Sequence, residues 1–365
     1  MSNIGPTYFP QLDGLRTIAV VMVMMAHWLP YRWLSELGFG PLGVYLFFVL
    51  SGFLITRILL QSKKQLDQKQ STVAGQLKTF YMRRILRIFP MYYILIGITY
   101  LFTPSTRPGL WWNLTYTSNF YLIDKGDWAG PMSHYWSLAV EEQFYLIWPL
   151  LLFLIPHRYL KQVLWGSILF GLGSRAVMQL MGASYLSVYI LTPACWDLFA
   201  VGGLLAYMQL YEGEKLQIWL NQRAIFLGAL ALCIFTMTGH LYLPESLDFM
   251  HQLFPKFFFA WFIFWLLGRA SEGFQGGGGK FLQHPWMVYL GRISYSLYLF
   301  HNFMDGFFLG VTFPEDPFWR FFMYFAGAVI VSTAAYYLVE RPFQRLKKYF
   351  PYRDKAPQPT SATGH

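Results

Sequence analysis

The chain has 365 residues, of which 55% are hydrophobic and 20% aromatic, only 13% carry charge, and the mean hydropathy is +0.36. So small a charged fraction cannot cover a water-soluble globule of this size, and the bilayer is the expected solvent for most of the chain. The net charge of +10 does not point to nucleic acid, because the basic residues form short clusters between apolar runs rather than one basic face.

The amino terminus, MSNIGPTYFPQLDGLR, lacks the basic start and small-residue cleavage site of a secretory signal, so the first apolar segment is expected to stay in the protein. Apolar segments follow at about 14–31, 40–60, 84–104, 135–155, 163–181, 189–209, 222–238, 254–268, 288–310 and 318–339. They predict an all-α integral membrane bundle of about ten helices with both termini cytoplasmic. That threading puts most Lys and Arg inside: Lys63, Lys64, Lys69, Lys78, Arg83, Arg84 and Arg87, then Arg158 and Lys161, then Arg341, Arg345, Lys347 and Lys348. The outer connections are acidic, with Glu245, Asp248, Glu315 and Asp316. Trp and Tyr crowd the segment ends at headgroup depth. The span 105–134 is the longest outer loop, able to cover the mouth of a site between helices. Gly276 to Gly279 read as a flexible inner linker. The expected organisation is one membrane domain over 1–350 and a disordered cytoplasmic tail over 351–365. Cys195 and Cys233 both lie in apolar runs, without a CxxC signature, and are expected to be buried thiols.

Ionisable groups inside spanning segments are costly, so each is a functional candidate. In DGLRTIAVVMVMMAH the eleven-residue step from Arg16 to His27 turns about 20° beyond three full turns, placing both on one face about 16 Å apart. Asp13 can pair with Arg16. That spacing suits an extended cofactor with its phosphates on the arginine; headgroup anchoring and a helix-to-helix hydrogen bond are the structural alternative. Ser51, in GPLGVYLFFVLSGFLITR, serves packing or the site. Arg84 and Arg87, three apart in FYMRRILRIFP, suit the phosphates of coenzyme A or act as inner-face anchors. In YWSLAVEEQFYLIWP, Glu141 and Glu142 enter the membrane at a depth like that of His27, and one of them, Glu142 by preference, can orient a histidine general base. The alternative is a pair with Arg175. Ser294, Tyr298 and His301 share one face of YLGRISYSLYLFH, for the site or for packing. Asp197 and Glu340, the latter beside Arg341, read as members of structural pairs. No metal cluster is expected, since His27, His301 and Glu142 are spread over three segments.

These five stretches, in this order, resemble the membrane acyltransferase-3 family over nearly the whole chain. The resemblance implies a ten-helix membrane enzyme that moves an acyl group, usually acetyl, from cytoplasmic acyl-CoA to sugars or related acceptors. Candidate acceptors are O-antigen, exopolysaccharide and peptidoglycan, which places the protein in a bacterial inner membrane. By position it implies that His27 is the essential histidine, Arg16 its partner, Arg84 and Arg87 the inner arginine pair, and Glu142 the family's glutamate in the WSLxxEExFY stretch. Some members append an SGNH domain, which these residues lack, so the chain is expected to act alone or hand the group to a periplasmic partner protein. The rival from another class is a transporter or exporter of a glycan or acyl compound, because buried charges also mark transport pathways.

Overall fold

The computed structural model describes residues 8–128, 130–242, 250, 253–307 and 316–352. Every regular element among them is helical. The principal helices are α1 (Pro10–Trp28), α2 (Phe39–Asp67), α3 (Val73–Phe102), α4 (Trp136–Leu154), α5 (Leu160–Leu180), α6 (Thr192–Tyr211), α7 (Arg223–Tyr242), α8 (Pro255–Glu272), α9 (Pro285–Arg292), α10 (Ser294–Phe300) and α11 (Pro317–Ala335).

Six helical stretches, those containing α2 to α6 and α11, are long and apolar enough to cross a bilayer. A seventh appears if the bent pair Gly213–Asn221 and Phe226–Phe235, angled at 64°, counts as one. This establishes a multi-pass membrane protein. Of the remaining expected segments, α1 is 19 residues long but carries Asp13, Arg16 and His27, and α8 has 18 residues ending in Arg269 and Glu272. The expected single segment 288–310 is broken: α9 and α10 meet at Ile293, and a 3-10 turn, His301–Phe303, follows; residues 308–310 lie outside the described residues. Outside them too are Glu245, Asp248, Glu315 and the tail from 353. Asp316 caps α11, accepting from the Phe318 and Trp319 amides at 2.7 and 3.3 Å.

Two expectations about loops are corrected. Gly276 to Gly279 open a helix, Gly276–Leu282, because they pack against α1: Gln11 Oε1 accepts the Phe274 amide at 2.7 Å, just before that helix. The 105–134 stretch is mostly helical, with turns of helix at Pro104–Gly109, Leu110–Leu114 and Ser118–Lys125. Its carbonyls are held by the bundle, Tyr92 donating to Asn113 O (2.8 Å), Tyr93 to Leu114 O (3.0 Å) and Gln143 to Tyr116 O (2.8 Å).

The centre of the bundle is the crossing of α2 and α6, which glycine permits. A Cβ at Gly52 would collide with the Phe199 carbonyl, and one at Gly202 with the Val49 carbonyl. Phe48, Phe199 and Phe144 stack alongside, with ring centroids 4.7 and 4.2 Å apart. A buried ion pair closes the far side of α6, where Arg175 donates to both Asp197 oxygens at 2.7 Å with neither side chain exposed. Arg175 therefore pairs with Asp197, and neither Glu141 nor Glu142 is its partner. Glu340 does not pair with Arg341. A π-helical turn, Tyr336–Glu340, rotates its carboxylate inward to accept from Ser296, while Arg341 stacks 5.4 Å from the Tyr337 ring. Cys195 and Cys233 are both buried thiols. The exterior of the bundle is apolar, as at Leu101, Leu154, Leu180 and Ile330, which suits contact with lipid.

Candidate functional site

Helices α1 to α4, with α10, enclose a cavity of about 1120 Å³, its open mouth included. Its length follows from the helix directions. Arg16, Ile58, Arg84 and Arg87 line one end, Ser51, Glu141 and Tyr145 the middle, and Val44, Ser137 and Tyr298 the other. Apolar residues such as Phe47, Phe48, Leu54 and Ile88 form most of the wall. A largely apolar cleft with a few convergent polar groups is what a sizeable organic ligand requires.

The cationic end holds three guanidinium groups on two helices. Arg16 donates to Asp13 at 3.1 Å, and Asp13 also accepts from the Tyr8 hydroxyl at 2.9 Å. Arg84 lies 4.9 Å above the Tyr145 ring and 5.7 Å from that of Phe80. Neither Arg84 nor Arg87 has a carboxylate within ion-pair distance among the described residues. Free guanidinium forks at the mouth of an apolar cavity are equipped to take phosphate.

In the middle, Ser51 and Tyr145 share a short hydrogen bond between their hydroxyls, so Ser51 faces the cavity while its neighbour Gly52 does the packing. Glu141 is the carboxylate that lines the cavity. Glu142, one step along the helix, is not among the lining residues and lies within electrostatic reach of Tyr92, Tyr93, Tyr116 and Tyr295 and of Arg84. One of its oxygens has no hydrogen-bond partner among the described residues. The preference for Glu142 as the carboxylate facing His27 is therefore corrected: His27 has Val23 and His301 as its neighbours.

At the opposite end the cavity stops at Ser137 and Tyr298, whose hydroxyls are 2.5 Å apart and both reach the His134 carbonyl. Beyond them stand three histidines. The rings of His27 and His301 are 4.9 Å apart and those of His301 and His134 4.6 Å. Backbone carbonyls assign their tautomers, since a carbonyl only accepts. His27 Nδ1 donates to Val23 O at 2.8 Å and His301 Nδ1 to Tyr298 O at 2.6 Å, which leaves each Nε2 as a bare acceptor. His134 is the reverse, with Nε2 near Leu299 O at 3.3 Å and Nδ1 facing the Asn302 amide nitrogen at 3.0 Å. His301 is fully buried and its Nε2 has no hydrogen-bond partner among the described residues, whereas His27 is exposed at the end of α1. Imidazole with one nitrogen pinned and the other open is a general base in waiting. Among the described residues no set of three His, Cys, Asp or Glu side chains is placed to hold a metal ion.

Arg16, Arg84, Arg87, Ser51 and Glu141 thus share one cavity, Asp13 supports Arg16 from behind, and His27 and His301 form a second centre joined to it through Tyr298. Sequence reasoning missed Tyr145, Ser137 and His134. Tyr145 lies one helical turn after Glu141, a spacing that could have found it; His134 sits before the helix, where periodicity is silent.

A family profile described as Acyltransferase domain matches residues 9–337. The chain belongs to this family. Among curated proteins, this acyltransferase chain is similar to O-acetyltransferase OatA of Staphylococcus aureus, strains NCTC 8325 / PS 47 and COL, each 27% identical over 369 residues. The alignment covers 93% of this chain but 58% of the relatives, so the chain spans little more than half their length. No solved structure matches it.

Proposed function

We propose that the chain is a membrane O-acetyltransferase that carries an acetyl group from cytoplasmic acyl-CoA to a hydroxyl of a cell-envelope carbohydrate. The observation that carries this is the cavity itself. It runs through an acyltransferase-family bundle from three arginines to a pair of hydroxyls, of which that of Tyr298 belongs to a ring 5.4 Å from His301, the imidazole that in turn faces His27 at 4.9 Å. The names of the relatives support acetyl as the group transferred. In this reading about ten segments cross a bacterial inner membrane, with both termini and the arginine end cytoplasmic.

Arg84, Arg87 and Arg16 hold the phosphates of the donor, whose pantetheine arm extends along the apolar wall toward Tyr298. The acceptor arrives from the outer side at His27. Its hydroxyl oxygen attacks the thioester carbonyl as His27 Nε2 takes the proton; the carbon–sulfur bond breaks, and the proton passes to the departing thiolate. The Val23 carbonyl holds the ring in the tautomer this requires. The acceptor is a polysaccharide or glycolipid, and a periplasmic protein can receive the group instead.

The test is purified protein in nanodiscs with radiolabelled acetyl-CoA and envelope glycans. Release of coenzyme A and labelling of glycan, both lost in His27→Ala, is the expected result. Absence of donor turnover together with measurable glycan flux in vesicles would replace this reading with an exporter.

A further inference from the structure

Arg83 belongs to the same basic run as Arg84 and Arg87 but does not line the cavity. Its guanidinium donates to the carbonyls of Lys347 at 3.1 Å and Phe350 at 2.9 Å, and it lies 4.8 Å over the Tyr352 ring. Those contacts draw residues 346–352 across the end of α3. The 3-10 turn Leu346–Tyr349 packs against α3 and sets Lys347, half-buried and just outside the cavity lining, within electrostatic reach of Arg87, Arg84 and Arg83. The carboxylate facing it, Glu340, is already engaged by Ser296 and by Gln344 at 3.4 Å. No described carboxylate lies within ion-pair distance of Lys347, Arg84 or Arg87.

Like charges gathered in a partly buried place repel one another, and a bound anion relieves that repulsion. Ordinary anchoring at the membrane surface does not require the arrangement, since Lys348, next in sequence, turns outward over the Tyr349 ring at 4.9 Å. Position 347 also lies beyond residues 9–337, the part of the chain that the family profile matches.

We propose that Lys347, carried on a carboxy-terminal strap clamped by Arg83, joins Arg84 and Arg87 as a ligand for a phosphoryl group at the mouth of the cavity. Resting on the acyl-CoA reading above, the group is a phosphate of the donor; a phospholipid headgroup offers the same chemistry. Lysine serves as a point charge for phosphate where arginine gives a fork. Arg83 is a positioning residue in this account, acting through the strap.

The experiment is calorimetric titration of the whole protein in phosphatidylcholine nanodiscs with coenzyme A and with pantetheine, which has no phosphate. Lys347→Ala should weaken coenzyme A binding about tenfold and leave pantetheine unchanged, with Lys347→Arg restoring most of the loss. Lys348→Ala should change neither. Arg83→Ala should weaken coenzyme A in the same direction as Lys347→Ala, with an unchanged melting temperature showing that the bundle is intact. A parallel series reads retention of phosphatidylglycerol in mixed discs. Loss there in Lys347→Ala, with coenzyme A unaffected, assigns the phosphoryl group to lipid. Wild-type behaviour of Lys347→Ala toward both ligands overturns the proposal while leaving the donor reading intact. A wild-type protein that binds no coenzyme A overturns the donor reading, and the lipid series then decides the strap.

Discussion

His27 is exposed at the end of α1 and has one ring nitrogen committed to Val23, so its removal should touch chemistry rather than folding. His27→Ala is expected to lower acetyl transfer by about 10²–10⁴-fold, the usual contribution of a general base, with coenzyme A affinity unchanged. Stopped assays of turnover alongside calorimetry check both halves. Arg84 is expected to act the other way: Arg84→Ala should raise KM for acetyl-CoA about tenfold with kcat nearly preserved, as loss of a charge-assisted phosphate contact of about 1.4 kcal/mol would. Steady-state kinetics give the split. The Arg16 to His27 register was legible in sequence because eleven residues nearly complete three helical turns. Which of two adjacent glutamates faces the cavity was not legible. Residues one step apart differ by 100° in direction, and only the rotation of α4 against α2 and α3 selects Glu141.

Helices explain why Ser51 and Gly52, side by side, serve different ends. The α2 and α6 backbones approach so closely at Gly52 and Gly202 that any side chain there displaces a carbonyl of the partner helix. Gly202→Val is therefore expected to destabilise the bundle by about 1–3 kcal/mol, the range for overpacking. A fall in melting temperature in detergent would show it, and an unchanged one would mean that the crossing relaxes freely. The break of α9 from α10 at Ile293 follows Gly291 and Arg292, a helix-end signal that hydropathy averaged over the whole segment hides. Its cause is tertiary: Gly291 is pressed against the Asp13 carbonyl of α1, which fixes α9 before the chain turns into α10. Likewise the four glycines from Gly276 become helical because Gln11 and Gly14 of α1 dock against that segment, although glycine alone disfavours helix.

Across the whole molecule, polar groups are buried in two distinct ways. Arg175 and Asp197 satisfy each other behind α6, and Arg175 also donates to Leu253 O and Ala194 O at 3.1 and 2.8 Å. Asp197→Ala would strand a buried guanidinium, at a cost of about 3–5 kcal/mol, and should abolish accumulation of folded protein in membranes; a normal melting temperature would contradict it. Among the described residues, in contrast, Arg84 and Arg87 of the cavity have no carboxylate within ion-pair distance, which leaves their guanidinium groups available to an anion. The proposed orientation has its own test. Cysteines introduced singly at Lys69 and Lys125 should differ, only the second reacting with an impermeant maleimide in intact cells. Composition and the order of apolar and basic runs determined by themselves that this chain enters a membrane, because transfer of apolar side chains from water does not depend on partners. Motif spacing along single helices likewise showed which residues could share a face. Tertiary structure alone decided which face meets the cavity, that three histidines converge at its far end, and that Arg83 of α3 clamps the chain at Lys347 and Phe350. Each of those depends on how segments distant in sequence pack, and periodicity within a segment carries no information about that.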